Sequence, residues 1–252
     1  MAWNIVRHAF VIVFGNFGNA LRASLMPLLI LIAVVGLLTT VLNLPMNGET
    51  VPFDEFSNPS SAIILILVGM VAAMFVFAWV AVTWHRFILL EEYPSFVPAI
   101  SDRPIWPYVK RTLMIILQMM VVMVPVLSLM LPAISNFPSA AVTLSIGLSI
   151  LMSFIWLRIC VSLPSVAVGE HMGSADAWAE TKDIRQTILG VCVIMTFLNS
   201  AAGLLPVLLA SNLPIISTVL NIAIQWVSIM IGISVLTTIY GHVIEGRPLS
   251  GA

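Results

Sequence analysis

The stretch WLRICVSLPSVAVGEHMGSADAWAETK, residues 156–182, decides how this chain is read. It contains the end of one apolar run, an arginine (Arg158) just inside that end, a short polar segment around Gly169-Glu170, and the motif Ala177-Trp178-Ala179-Glu180-Thr181-Lys182 leading into the next apolar run. The runs on either side, about 141–163 and 187–209, are continuously apolar. Each is long enough to cross a hydrocarbon layer, which takes about 20 residues of helix. A membrane β-barrel would instead alternate apolar and polar residues in segments of about ten.

Working outward, the same pattern recurs along the chain. Of 252 residues 60% are hydrophobic and 8% charged, with a mean hydropathy of +1.11. Soluble domains carry about 25% charged residues, so this chain has too few to cover a water-facing surface. The reading is all-α: a polytopic membrane protein of six transmembrane helices arranged as three hairpins, forming one integral membrane domain over residues 1–252. Spans are expected at about 25–44, 62–84, 112–131, 141–163, 187–209 and 217–240, with an interfacial helix at 3–23. On that helix Asn4, Arg7/His8, Asn16/Gly15, Asn19 and Arg22 share a face, Gly15-Asn16-Phe17-Gly18 reads as a close-packing point or kink rather than a ligand cradle, and Ser24 is placed to cap the first span. Arg7 with Ala9–Phe14 and Gly18-Asn19-Ala20 mimics a signal peptide, but Arg22 and a longer apolar run follow at once, so the segment is read as uncleaved. Prolines are expected to end the odd-numbered spans at Leu44-Pro45, Leu131-Pro132 and Leu213-Pro214, with 132–138 a tight turn. Ser174 is expected to cap a short helix that carries Asp176 in its first turn.

Charge sets the orientation. All ten Lys and Arg residues fall in the N-terminal segment, the second and fourth connections or the tail, and none in the three opposite loops. The positive-inside rule then places both termini in the cytoplasm, with a bacterial inner membrane as the expected location. A net charge of −1 and the lack of a basic block exclude a nucleic-acid partner. Cys160 and Cys192, the only cysteines, read as small buried thiols.

Each hairpin repeats a theme. Trp3/Arg7, Trp106/Lys110 and Trp178/Lys182 precede the odd-numbered spans, and Trp84/Arg86, Trp156/Arg158 and Tyr240/His242 close the even-numbered ones. Duplication and ordinary interfacial aromatic-belt chemistry both account for this spacing. Within it, the string Leu163-Pro164…Ala167-Val168-Gly169-Glu170…Gly173…Ala177-Trp178…Thr181 resembles a recurrent motif of the membrane domain associated with bacterial glycerophosphodiester phosphodiesterases, and of related stand-alone membrane proteins of unknown function. The likeness covers about thirty residues here, with a looser one at 3–30. The hydrolase part that carries catalysis in those enzymes has no counterpart in this chain, so the resemblance implies no activity.

Motifs for chemistry are missing. His8, His85, His171 and His242 are scattered singly, with no His-x-x-x-His or Cys-x-x-Cys, no Gly-x-Ser-x-Gly and no phosphate loop. No metal or cofactor is expected. Uncharged polar residues do lie within the spans: Gln118, Asn199, Asn221 and Gln225 read either as interhelical hydrogen-bonding groups or as a polar patch between the third, fifth and sixth spans. No ionisable residue lies at a span centre, where proton-coupled pumps place them. At the cytoplasmic rim, Arg86, Arg158, Glu91, Glu170 and His242 are candidates for ion pairs or lipid contacts, since apolar sequence continues past both arginines. Snorkelling to lipid phosphate and pairing with Glu91, Glu92 or Glu170 both fit, and Glu170 is the favoured partner for Arg158. The expected role is that of a non-enzymatic scaffold that binds another integral membrane protein or organises membrane lipids. A transporter or lipid-handling protein for a small or amphipathic solute is the alternative.

Overall fold

The computed structural model describes residues 1–42, 59–137, 139 and 141–249, apart from the side chains of 59 and 61. Leu44-Pro45, the first acidic loop and residues 250–252 lie outside that set. The described residues form helices only: α1 (Ala2–Gly15), α2 (Phe17–Val41), α3 (Pro59–Leu90), α4 (Ile105–Asn136), α5 (Ala141–Cys160), α6 (Ser162–Val168), α7 (Ser174–Glu180), α8 (Arg185–Leu209) and α9 (Pro214–Val243). Six of them are long and apolar enough to cross a membrane, so the chain is an all-α polytopic membrane protein.

Several boundaries differ from those expected. The N-terminal helix stops at Gly15 rather than at residue 23. Asn16 breaks it with φ −120° and ψ 35°, and its side-chain amide donates to the Ile12 carbonyl at 3.0 Å. Residues 17–23 therefore open the first span. Ser24 lies inside α2 rather than at its cap, donating to Ala20 O at 2.7 Å and accepting the Trp226 indole N–H at 2.8 Å. α4 runs through Pro125 and Pro132 to Asn136, so Leu131-Pro132 does not end the third span. Each internal proline forfeits one backbone hydrogen bond, a loss that spanning helices accommodate by local adjustment. Leu213-Pro214 lies between the fifth and sixth spans, but α8 already ends at Leu209 and Pro214 starts α9 rather than ending the fifth span. Gly173, not Ser174, is the N-cap of α7: its backbone N–H donates to the Asp176 carboxylate at 2.8 Å.

The packing order around the bundle is α3, α9, α8, α5, α4 and back to α3, a closed ring of five spans. α2 lies outside it against α3, where Gly69 leaves room for Leu38. α1 packs on α9 and α8 through Ile5, Val6, Ala9 and Val13, all fully buried. The short helix α6 lies against α3, α4 and α9 with Ser162 to Ala167 buried, so it closes one end of the ring. That end holds every charged side chain of the described residues, and it is tightly packed. On α3, for example, almost every residue from Val76 to Leu89 is buried, whereas Ile63, Ile64, Leu67, Met70 and Val71 toward the other end are exposed.

Candidate functional site

The closed end is held by arginines that donate to carbonyls at helix C-termini. These orphan carbonyls carry the negative end of the helix dipole and need donors. Arg86 Nη1 donates to Ala167 O at the end of α6, at 3.0 Å. Arg247 Nη2 donates to Leu89 O at the end of α3, at 2.7 Å, which returns the tail across the bundle. Arg158 Nη2 donates to Trp178 O in α7.

Arg158 is buried, and its guanidinium stacks 3.7 Å from the centroid of the Trp178 ring while Nε donates to Thr181 Oγ1 at 2.9 Å. The expected Arg158–Glu170 pair is not formed. Gly169, at φ 90°, ends α6 in the left-handed conformation that glycine adopts at little cost, and Glu170 N then bonds back to Ser165 O at 2.8 Å. The turn carries the Glu170 carboxylate to the Tyr240 hydroxyl, which donates to it at 2.8 Å. Arg158 leaves α5 on the side of α7 instead. Trp178 in α7 and Thr181, its C-cap, are three residues apart and so lie on one side of the helix end, and that spacing is the sequence signal for their joint grip on the arginine.

Arg86 pairs with Glu92, at 2.5 Å from Nη2 and 3.0 Å from Nε, and Arg103 shares the same carboxylate. The hydrogen bond from Arg86 holds the Glu92 carboxyl below the usual carboxylate range; the Arg103 and Arg86 charges add to that, while burial opposes it. Glu91 is not the partner. It takes the left-handed position after α3, at φ 57°, and its side chain is exposed. His242 Nδ1 lies 2.9 Å from Arg247 O and helps hold the returning tail.

Just inside the rim lies a polar chain that the scattered histidines of the sequence do not reveal. The Thr237 hydroxyl donates to Ile233 O, so its oxygen accepts from His85 Nδ1 at 2.8 Å. In the neutral ring, Nε2 is then the acceptor for the Tyr108 hydroxyl at 3.3 Å. Trp84, next to His85, donates to Ser234 Oγ at 2.8 Å.

Above this floor the ring carries two cavities that open to the surface of the bundle. One, of about 530 Å³, lies among α3, α4, α5, α6 and α9, with Tyr108 and Thr112 at its lower wall. The other, of about 540 Å³, lies among α5, α8 and α9 and includes Ser153, Thr196 and Asn199. Trp156, Ile229, Ile233 and Leu236 line both, so the Trp156 side chain and the facing stripe of α9 form the partition between them. Both are predominantly apolar, and no charged residue lines either. The Thr112 hydroxyl is buried without a hydrogen-bond partner.

The intramembrane polar residues divide. Asn199 accepts from Ser228 at 2.8 Å, joining α8 to α9 beside the second cavity. Asn221 and Gln225 are exposed, and at 100° per residue they continue upward the stripe formed by Ile229, Gly232, Ile233 and Leu236. Gln118, also exposed, falls on the side of α4 opposite Tyr108, Thr112 and Ile116, which face the first cavity. Among the four, Asn199 is joined across spans, to Ser228, while Gln118, Asn221 and Gln225 are exposed. Among the described residues no three His, Cys, Asp or Glu side chains group as metal ligands. Comparison with protein-family models, curated proteins and solved structures finds no match.

Proposed function

We propose that this protein is a non-enzymatic lipid-handling membrane protein that holds an amphipathic molecule in the lumen of its five-helix ring. The observation that carries this reading is the paired, uncharged and largely apolar lumen, closed at one end by α6 and the arginine-bound rim. Each cavity has the size of a ligand site, a class that spans about 300–1,000 Å³. Uncharged polar groups on α4, α8 and α9 supply orientation without the cost of an unpaired charge in hydrocarbon. The charged end faces the cytoplasm under the positive-inside rule, in the inner membrane of a bacterium, with both termini inside.

A scaffold role is the second reading, favoured by Gln118. Its amide lies on the outer face of α4 without a lumen to serve, where a neighbouring helix would satisfy it.

Native mass spectrometry of the full chain, released from a mild detergent after a delipidating wash, separates the two. Lipid-handling predicts stoichiometric lipid on the monomer. A lipid-free chain bound to a stoichiometric second membrane protein would replace that reading with the scaffold.

A further inference from the structure

We propose that the lumen takes one two-chain lipid, with its acyl chains on opposite sides of Trp156 and its polar head toward Asn221 and Gln225. This rests on the lipid-handling reading and deepens it.

Three observations lead there. The two cavities have nearly the same volume, about 530 and 540 Å³, and meet at one shared wall. Two chains joined at a single head group need two apolar slots of similar capacity side by side, as these are. The partition is a single side chain facing a helix stripe, so a molecule can straddle it without unfolding the ring.

Length agrees as well. Along α9 from Gln225 to Leu236 is a rise of about 17 Å at 1.5 Å per residue. One leaflet of a hydrocarbon core is about 15 Å deep. A chain that starts beside Gln225 therefore reaches the floor near Leu236, where α6 closes the ring.

Polarity sets the direction. The floor is occupied by the His85–Thr237–Tyr108 chain, whose hydrogen bonds are made within the protein. Helical spacing carries the lining stripe of α9 on to Asn221 and Gln225, whose exposed amides can serve a glycerol ester or a zwitterionic head. No charged side chain lies at the end opposite the rim among the described residues, so a head group that needs a cation partner finds none. The lipid enters from the leaflet at the uncharged end.

The test blocks one slot at a time. Thr112→Trp fills the first cavity and Ser153→Trp the second; Thr112→Ala and Ser153→Ala serve as small-side-chain controls. Full-length, delipidated protein is exposed to dioleoyl phosphatidylethanolamine or to its one-chain lyso form, and retained lipid is counted by native mass spectrometry. Wild type and both alanine variants should retain one two-chain lipid, or two one-chain lipids. Each tryptophan variant should lose about tenfold in two-chain retention yet keep one one-chain lipid. Two-chain binding that survives both blocks, or a wild type that holds a single one-chain lipid and no two-chain lipid, overturns the proposal and leaves the lipid-handling reading standing. A wild type that retains neither lipid overturns both.

Discussion

Arg158 shows how far a residue's neighbours can be read from its sequence. Its position just inside a span end implies that it needs a partner, because a charge near mid-membrane costs about 2.5–3.5 kcal/mol on insertion scales. Which partner it takes depends on the direction in which α5 presents it, and sequence spacing does not give that direction. Glu170 is twelve residues on, within reach of a returning loop, yet the left-handed turn at Gly169 delivers it to Tyr240. The arginine instead stacks on Trp178 and donates to Thr181. A planar guanidinium can do both at once and an ammonium cannot. Arg158→Lys should therefore destabilise the protein in detergent nearly as much as Arg158→Leu. A double-mutant cycle of Arg158→Leu with Trp178→Leu should give a coupling of about 1–2 kcal/mol, while Arg158→Leu with Glu170→Gln should be additive. Coupling to Glu170 and none to Trp178 would refute the observed arrangement. The exposed Glu91 and the paired Glu92 teach the same lesson, since two adjacent, identical residues are distinguished only by which one takes the left-handed backbone after α3.

At the scale of elements, apolar run length identified all six spans, because a spanning helix must satisfy every backbone group internally and so leaves a long uninterrupted signature. Punctuation was less reliable. Pro132 reads as a stop but lies within α4, since a proline in a spanning helix loses one hydrogen bond without having to end the helix. The break at Asn16 went the other way: the polar stripe continues to Arg22, yet the helix ends within Gly15-Asn16-Phe17-Gly18, the stretch that reads as a kink or close-packing point. The turn docks α1 against the ring, and at Gly190 of α8 an added Cβ would meet Ala2 Cβ at 2.9 Å. Neither atom can move without its backbone. Gly190→Leu should therefore lift the first turn of α1 from α8 while leaving the spans folded. In Gly190→Leu, limited proteolysis should cut within α1 at protease levels the wild type resists. Unchanged protection would mean that α1 is not held there.

For the whole molecule, the charge asymmetry and the helix count were legible, whereas the ring was not. The order α3, α9, α8, α5, α4 joins spans that are far apart in the chain, and hydropathy carries no information about which apolar face meets which. Trp156 illustrates the gap: in sequence it is one more interfacial tryptophan beside a cation, but in the fold it divides the lumen. The polar spacing on α9 offered a partial signal, because Asn221 and Gln225 are four residues apart and so share a face with Ile229. Trp156 is also the natural reporter of what fills the ring. The most direct measurement uses a full-length variant that keeps Trp156 as its only tryptophan, reconstituted in vesicles, with its fluorescence quenched either by lipids brominated along the acyl chain or by aqueous acrylamide. A lipid-holding lumen predicts strong quenching by the brominated chains and little by acrylamide. Quenching by acrylamide instead, or by neither reagent, would show a water-filled or collapsed interior and contradict the account.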